Sequence, residues 1–414
     1  MRSNYKKLDA YIREIDIRNI EGKKENLLGV STQKVFIKSI ANTEGTDWRS
    51  YKIVKKRQFT YVPDTSRRGD KIAIALLEDE DHGLVSQAYT VFEIVDTEKL
   101  LPEYLMMWFR RPEFDRYARF MSYGSVREIF SWEEMCNMEL PIPDIAKQRE
   151  IVKEYNVLVN RIALNNQLIQ KLEETAQAIY KQWFVDFEFP DENGKPYKSN
   201  GGEMVESQLG EIPKGWKVGS LNEIVDVIDG DRGTDYPSNE EISDAGFCLF
   251  LNAGNVTSLG FDFSKNNFIS KEKDKLLRKG KLQRNDVLMT SRGTVGNVAY
   301  FSDVVPFDNI RINSGMVILR SKNILESSIF IYIMLRNTEM KMAIENYLSG
   351  SAQPQLPIKD LIKIPVLVPC EKKLLDFANI ATKLQKYIDR AKIHNLKLHK
   401  FVNIILSKLA TVEE

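Results

Sequence analysis

The stretch NMELPIPDIAKQREIV, residues 137–152, carries the strongest evidence about the architecture of this chain. Its pattern returns 226 residues later as KIPVLVPCEKKLLDFA, residues 363–378, and Pro143 then falls on Pro369. An internal repeat constrains the architecture before any single motif does. Because there are only two copies of a long unit, the pattern predicts a duplicated module and not a solenoid.

Each copy of the repeat leads into a long segment without proline or glycine, from residue 144 to about 184 and from 370 to about 410. In both segments one residue series advances in alternating steps of four and three, the 3.5-residue period of a coiled coil. The first series is Ile151, Tyr155, Leu158, Ile162, Asn165, Ile169, Leu172, Ala176, Ile179 and Trp183. The second is Phe377, Ala381, Leu384, Ile388, Ala391, Asn395, Leu398, Val402, Ile405 and Leu409. Either the helices pair with one another, or each packs separately on its own globular region.

One asparagine interrupts each series, Asn165 in the first helix and Asn395 in the second. In an antiparallel pair these two can face one another, which also places Trp183 opposite Phe377. A buried asparagine pair costs stability but fixes register and orientation. We therefore predict one antiparallel coiled coil with a central Asn–Asn layer and an apolar stripe about 50 Å long.

The chain divides into five segments around these helices. Residues 187–216 are rich in glycine, proline, asparagine and lysine and are predicted to be a linker. The regions before each helix mix short strand-like runs with turns. The predicted segments are 1–143 (mixed α/β), 144–186 (helix), 187–216 (linker), 217–369 (mixed α/β) and 370–414 (helix).

The composition is ordinary for a globular protein, with 59 basic and 58 acidic residues, so no overall charge drives binding to nucleic acid. Local basic patches remain compatible with this balance. Three scattered cysteines suit neither a disulfide framework nor a zinc site. No apolar run approaches the roughly 20 residues of a membrane span, and an intracellular, cytoplasmic protein is expected.

The sequence offers no credible catalytic centre. Neither the phosphate-binding GxxxxGK[ST] pattern nor the zinc-binding HExxH pattern occurs. Of the three histidines, His394 and His399 lie on the second helix, and His82 lies in the acidic segment EDEDHG. No metal ligands and no cofactor-binding residues are predicted, and a binding protein is expected.

Basic residues beside glycine and hydroxyl residues recur in short segments such as GDRGTDYP (230–237) and TSRGTVG (290–296). An arginine fork can bind guanine or phosphate in a bidentate manner, and glycine lets the backbone approach closely. The alternative is that these are solvated turns. The candidate DNA-contacting residues are Lys55, Lys56, Arg57, Arg67, Arg68, Ser125, Arg127, Arg232, Thr234, Ser291, Arg292, Gly293, Thr294, Ser351 and Gln353.

Several segments resemble the specificity subunits of type I restriction–modification enzymes. They are LPIPDIAKQREIV, QLIQKLEETAQAIYKQWFVDFEF, GEMVESQLGEIPKGW, RNDVLMTSRGTVGNVAY and SGSAQPQLPIKDLIKIPV. These segments span most of the chain and occur in the order of that family. The most specific block extends from Leu140 to Trp216.

The resemblance implies a non-catalytic subunit with an α+β fold and pseudo-twofold symmetry. Two α/β target recognition domains would each read one half of a bipartite double-stranded DNA target. The two long helices would form an antiparallel coiled coil, set the separation of the half-sites and bind two modification subunits. Those subunits would hold S-adenosylmethionine and methylate adenine, and restriction subunits would use ATP and magnesium. This chain would bind no cofactor and no membrane.

The repeat is imperfect in ways that affect residue assignments. In the alignment of the two halves, the segment TSRGTVG falls on ALLEDEDHG of the first half, so its arginine has no match there. The basic loop of the first domain is then expected at Lys55–Arg57 or at Arg67-Arg68. Two other classes stay open: a standalone metal-dependent nuclease and a coiled-coil scaffold that binds only protein.

Both helices also carry apolar residues outside the predicted seam. A two-helix coiled coil would leave many of them in water. We predict that part of this second stripe docks the modification subunits. The alternative is packing on the chain's own globular regions. The representative docking residues are Leu168, Tyr180, Tyr387 and Phe401.

Overall fold

The structure is a computed structural model that describes residues 5–39, 44–65, 71–122, 128–322, 327–350 and 354–412. It contains two compact units, the first built from two stretches of chain and the second from one continuous stretch. Unit 1 comprises Met1–Leu164 and Asn395–Glu414, and unit 2 comprises Asn165–His394. Each long helix therefore contributes one part to each unit and is not a separate segment beside them.

Unit 1 is built from short strands and helices that precede the first long helix. Its strands are β1 (Tyr5–Lys7), β2 (Ile12–Ile15), β3 (Leu28–Val30), β4 (Phe36–Lys38), β5 (Lys52–Lys55), β6 (Phe59–Tyr61), β7 (Ile74–Leu76), β8 (His82–Val85), β9 (Thr90–Ile94) and β10 (Glu139–Pro141). Its helices are α1 (Pro102–Phe109), α2 (Pro112–Phe120), α3 (Trp132–Asn137) and the first part of α4 (Ile145–Phe184).

Unit 2 repeats this order after the rest of α4. Its strands are β11 (Met204–Ser207), β12 (Gly210–Pro213), β13 (Lys217–Ser220), β14 (Val225–Asp229), β15 (Cys248–Leu251), β16 (Val256–Thr257), β17 (Gly260–Phe261), β18 (Phe268–Ile269), β19 (Val287–Thr290), β20 (Val298–Tyr300), β21 (Ile310–Ile312), β22 (Met316–Ser321) and β23 (Pro365–Val368). Its helices are α5 (Leu221–Ile224), α6 (Lys271–Leu276), α7 (Ser327–Arg336), α8 (Thr338–Glu345), α9 (Ile358–Leu361) and the first part of α10 (Glu371–Lys408).

The same four-stranded antiparallel sheet lies at the centre of both units. Its strand order is β2-β9-β6-β7 in unit 1 and β14-β22-β19-β20 in unit 2. The inner strands β6, β9, β19 and β22 are buried along most of their length and carry mostly apolar residues, which indicates that both faces of the sheet are covered. The predicted α+β fold with a duplicated α/β region is confirmed.

A second matching feature ties the start of each unit to the strand before its long helix. β1 pairs with β10 in unit 1, and β13 pairs with β23 in unit 2. The residue that follows β1 and the residue that follows β13 also make equivalent hydrogen bonds. The amide of Leu8 donates to the carbonyl of Met138, and the amide of Leu221 donates to that of Ile364, both at 2.9 Å. The repeat therefore extends to individual backbone hydrogen bonds.

The predicted seam of the long helices is buried or half-buried at every position. In unit 2 the helices run antiparallel, since the rings of Trp183 and Phe377 lie 6.0 Å apart while Glu173 and Lys392 form an ion pair at 3.6 Å further along. In unit 1 the seam residues of α4 and α10 share one apolar core. The predicted opposition of Trp183 and Phe377 is confirmed.

The two seam asparagines are buried, Asn165 to 6% exposure and Asn395 to 8%. Within unit 2 the side-chain amide of Asn165 lies 3.4 Å from Nδ1 of His394, the residue beside Asn395. The direct Asn165–Asn395 layer stays a prediction. A polar layer at the middle of the seam nevertheless fits a role in fixing register.

The segment predicted to be a linker, 187–216, packs as part of unit 2. The ring of Phe189 stacks on those of Trp216 and Tyr197 at 4.8 and 4.6 Å, and Trp216 also lies 5.7 Å from Phe184 at the end of α4. Strands β11 and β12 form a hairpin within it. Aromatic burial of this kind stabilises the segment against the unit, although its glycine-rich composition suggested otherwise. Among the described residues, no helix has the length and apolarity that crossing a membrane requires.

Candidate nucleic-acid interface

The connection between β19 and β20, residues 291–297, is a tight polar turn at one end of the central sheet of unit 2. The hydroxyl of Thr290 bonds to the carbonyl of Thr294, and the amide of Asn297 donates to that hydroxyl at 3.0 Å. Gly293 and Gly296 have φ angles of +74° and +90°, a region that glycine adopts without strain. The turn thus holds residues 293–296 at the surface.

A short backbone ladder anchors this turn to residues 354–356. The amide of Leu356 donates to the carbonyl of Ser291 at 2.9 Å, and the amide of Gly293 donates to the carbonyl of Pro354 at 3.3 Å. Arg292 lies between these two bonds, opposite Gln355. Its side chain is half-buried and forms no ion pair with any residue that the structure describes. Arg292 is therefore held in place by the backbone ladder, and no carboxylate of the described residues neutralises its charge.

The structure brings a second predicted arginine to the same place. The guanidinium of Arg232 lies 3.0 Å from Asp229 and 3.4 Å from the carbonyl of Ser314. The next residue, Gly315, accepts hydrogen bonds from the amides of Ser291 and Arg292 at 2.9 and 3.2 Å. The segments 229–236, 291–297 and 313–315 therefore form one surface, although they are far apart in the sequence.

The other second-domain candidates differ in exposure. Gly293 and Thr294 are exposed on the turn, and Thr234 is exposed on the 229–236 loop. Ser291 is only 5% exposed, and its backbone groups are committed to the ladder. The prediction that Ser291 contacts DNA is corrected: its side chain is buried, and the residue holds Arg292 in place.

Unit 1 contains the same ladder. The amide of Phe130 donates to the carbonyl of Pro63 at 2.9 Å, and the amide of Thr65 donates to the carbonyl of Glu128 at 3.0 Å. Asp64 lies between them, opposite Ile129. The position that Arg292 occupies in unit 2 is therefore held by Asp64 in unit 1.

This correspondence corrects the expected alignment of TSRGTVG with ALLEDEDHG. The latter segment, residues 75–83, contains the end of β7, the turn that follows it and the start of β8. The counterpart of 291–297 is the β6–β7 connection, residues 62–73, whose sequence contains Arg67 and Arg68. These two arginines lie outside the described residues, and their role as the basic loop of the first domain stays a prediction.

The alternative basic segment Lys55–Arg57 has acidic surroundings. Arg57 forms a two-pronged ion pair with Glu103 at 2.7 and 3.4 Å. The amide of Lys56 bonds to the carbonyl of Asp81, in the acidic segment 78–81, and Lys55 pairs with His82. Lys55 and Lys56 are exposed. Glu103 neutralises Arg57, which makes Arg57 a weaker candidate for DNA contact, and Arg67-Arg68 stays the alternative prediction for the first-domain loop.

Four further candidates, Ser125, Arg127, Ser351 and Gln353, also lie outside the described residues. Their neighbours are informative. Residues 128–130 and 354–356 are the strands of the two equivalent ladders. Each pair of candidates therefore precedes, in the sequence, the segment that anchors a sheet connection.

The predicted docking residues on the helices separate into two groups. Leu168, Tyr387 and Phe401 are 49%, 58% and 56% exposed. Tyr180 is 7% exposed because it packs on Phe184, Phe330 and Phe377 inside unit 2. The prediction for Tyr180 is wrong, since its side chain belongs to the core of unit 2.

Two of the three cysteines, Cys136 and Cys248, have settings that disfavour reactivity. Burial raises the pKa of the Cys136 thiol to about 11 and that of Cys248 to about 12. Both therefore remain protonated near neutral pH and act as small apolar residues. In the described part of the chain, no three histidine, cysteine, aspartate or glutamate side chains cluster as metal ligands would.

Comparison with known proteins decides the family. Residues 30–174 and 213–402 match the family described as the type I restriction modification DNA specificity domain. The chain belongs to this family. The first matched segment ends within α4 and the second ends within α10, so each covers most of one α/β region and most of the long helix that follows it.

Individual relatives agree with this assignment. The specificity subunit of the type I restriction enzyme MjaIX from Methanocaldococcus jannaschii is 23% identical over 316 residues, covering 76% of this chain and 70% of the relative. That of HindI from Haemophilus influenzae is 30% identical over 152 residues, covering 36% and 32%. The crystal structure of the type I S subunit from M. genitalium matches 99% of this chain and 96% of its own with a TM-score of 0.56 at 15% identity, which shows a shared fold.

Proposed function

We propose that this specificity subunit is non-catalytic and reads a bipartite double-stranded DNA target, with each unit reading one half. The observation that supports the proposal most is the equivalent ladder in both units. It presents a sheet connection with different residues on the same scaffold: Arg292 in unit 2 and Asp64 in unit 1. A duplicated scaffold with unlike loops suits two unlike half-sites.

The chemistry of the unit 2 surface suits readout of base edges. Arg292 is a half-buried arginine without a carboxylate partner among the described residues, and Thr294 adds an exposed hydroxyl beside it. An arginine of this kind can bind O6 and N7 of guanine in the major groove, where all four base pairs differ. We propose that unit 2 inserts the 291–297 turn into the major groove.

Partner subunits supply the chemistry in this proposal. Two modification subunits would hold S-adenosylmethionine and methylate adenine, and restriction subunits would bind ATP and magnesium. The antiparallel helices would set the separation of the half-sites, while this chain would bind no cofactor. Exposed apolar residues support a docking role because they recur along both helices, as Val157, Leu164 and Leu168 on α4 and Tyr387 and Phe401 on α10, and extensive exposed apolar surface marks interaction sites.

A gel-shift titration tests recognition. The chain, assembled with its modification subunit, is titrated onto a duplex carrying the sequence found methylated in the source genome. Two control duplexes each have one half-site scrambled. Each scrambled half should weaken binding at least tenfold. Equal binding to all three duplexes would favour a protein-only scaffold, and cleavage of DNA by the pure chain with magnesium would favour a nuclease.

Gel filtration tests the docking surface. We expect Tyr387→Glu and Phe401→Glu each to weaken assembly with the modification subunit, because a carboxylate cannot be buried there without a partner. Asn403→Glu is the matched control, since Asn403 is an exposed polar residue on the same helix. Normal assembly of both tyrosine and phenylalanine variants would contradict the docking proposal.

A further inference from the structure

The basic segment 271–284 of unit 2 contains two kinds of cation. Three of them pair with carboxylates at 2.6–2.8 Å, namely Lys273, Lys281 and Arg284. Four others are exposed and form no ion pair with a described residue, namely Lys271, Lys275, Arg278 and Lys279. The first group stabilises the unit. The second group places positive charge on the surface that no carboxylate of the described residues pairs with.

Arg278 and Lys279 are held beside the loop that carries Arg232. The approach of the two loops is close: a Cβ on Gly280, where φ is +78°, would lie 3.2 Å from the Cα of Gly230. The amide of Ile312 also donates to the carbonyl of Gly280 at 2.9 Å. This packing fixes the backbone of residues 278–280 against the surface that contains Arg292.

Asp231 connects the two loops. Its carboxylate accepts hydrogen bonds from the amides of Gly233 at 2.9 Å and Arg278 at 2.7 Å. These backbone hydrogen bonds, that of Gly233 first, lower the pKa of Asp231, so the carboxylate stays ionised. A carboxylate on a DNA-binding surface repels phosphate, and its presence here requires a compensating structural role.

We propose that Arg278 and Lys279 form a phosphate-binding edge beside the half-site read by unit 2, with Asp231 as the residue that positions it. The inference rests on the proposed function. The ligand is the sugar-phosphate backbone of duplex DNA. Arg278 and Lys279 act as exposed charges on a fixed loop, whereas Arg292 sits within a turn flanked by glycine and hydroxyl groups.

Phosphate contact and base readout have different signatures. Each phosphate contact releases counterions, so the logarithm of the affinity falls with the logarithm of salt concentration by a slope of about 0.9 per contact. Phosphate contacts carry no sequence information. Loss of such a contact therefore weakens binding to all sequences and lowers the slope, whereas loss of a base contact weakens binding only to the target.

The experiment measures affinity against salt concentration for the chain assembled with its modification subunit. The probes are the duplex carrying the methylated sequence and a duplex with the unit 2 half-site scrambled. Arg278→Ala and Lys279→Ala should each weaken binding to both duplexes by the same factor and lower the slope by about one. Lys275→Ala is the matched control, since this exposed lysine lies on α6 and outside residues 278–280, and it should leave the slope unchanged. A loss confined to the target duplex, or an unchanged slope in both variants, would overturn the proposal.

A second pair of variants tests Asp231. Asp231→Asn removes a negative charge, which by electrostatics alone should strengthen binding to DNA. We expect a loss of affinity instead, because the asparagine amide would face the amide of Arg278. Asp235→Asn removes a charge from the same loop and should not weaken binding. Stronger binding by Asp231→Asn, with an unchanged thermal midpoint, would contradict the positioning role.

The outcomes also separate this inference from the proposed function. If the unmodified complex does not discriminate the target from the scrambled duplex, the proposed function fails. If it discriminates but both variants keep the full salt slope, only the phosphate-binding edge fails.

Discussion

The β6–β7 connection of unit 1 and the β19–β20 connection of unit 2 occupy equivalent positions but are held differently. Both are anchored by the same two-bond ladder at their start. The unit 2 connection ends with Asn297 bonded to the hydroxyl of Thr290. In unit 1, Ile72 near the end of the connection donates to the carboxylate of Asp115, which also pairs with the buried Lys34 at 2.6 Å.

The difference shows how duplication separates scaffold from specificity. The ladder and sheet are conserved between the two units because they fix where a connection emerges. The longer connection of unit 1, residues 62–73, ends beside the buried Lys34–Asp115 ion pair. The shorter connection of unit 2 is closed by hydrogen bonds with the hydroxyl of Thr290, the last residue of β19. In the proposed function, residues that differ between the connections would change the DNA sequence recognised without changing the fold.

The largest effect is expected from breaking the unit 1 ion pair. Asp115→Ala should lower the free energy of unfolding by about 3–5 kcal/mol, because it leaves the Lys34 ammonium buried without a partner. Asn297→Ala, at the corresponding end of the unit 2 connection, removes a bond to the carbonyl of Val256 and should cost about 1 kcal/mol. Urea denaturation measures both. Equal costs would show that the two connections do not differ in how they are held.

A smaller effect is expected from the first-domain arginines. Arg67→Ala combined with Arg68→Ala should weaken binding to the unit 1 half-site by about 1–3 kcal/mol, provided they replace Arg292 in function. Arg57→Ala should change DNA binding little, because Glu103 already neutralises that charge. Gel-shift titrations on the scrambled duplexes distinguish these variants. A larger loss from Arg57→Ala would move the first-domain loop to residues 55–57.

The smallest effect concerns a buried carboxylate in unit 2. Burial raises the pKa of Asp389, although hydrogen bonds with Gln385 and Ser302 oppose the shift. The unfolded chain then releases this proton first as the pH rises, so Asp389 lowers the free energy of unfolding increasingly above about pH 4. The free energy of unfolding of Asp389→Asn, measured by urea denaturation and compared with that of the parent, should therefore rise between about pH 4 and about pH 7. A difference that does not vary with pH would contradict this.

The helices could be predicted from sequence because their information is local and periodic. The 3.5-residue spacing defined the seam, and the register set by one asparagine in each helix placed Trp183 opposite Phe377. Tyr180 was misassigned because an apolar residue outside the seam looks the same whether it meets a partner or its own unit. Here Phe330, 150 residues away, covers it.

The candidate site was harder to predict because its parts meet only through the fold. The motif around Arg292 was recognisable from its glycines and hydroxyls, but its neighbours Arg232 and Ser314 come from distant segments. Arg57 looked like a free cation because its partner Glu103 follows 46 residues later. Arg278 had only the signal of a basic run, in which charge-paired and unpaired members cannot be told apart.

The most direct test of the claim that each unit recognises one half-site is methylation mapping with Arg292→Ala. The variant subunit is expressed with its modification subunit in a host whose genome is then sequenced for methylated adenine. The methylated motif should become degenerate in the half read by unit 2 and stay unchanged in the other half. An unchanged motif, or equal degeneracy in both halves, would contradict the assignment of one half-site to each unit.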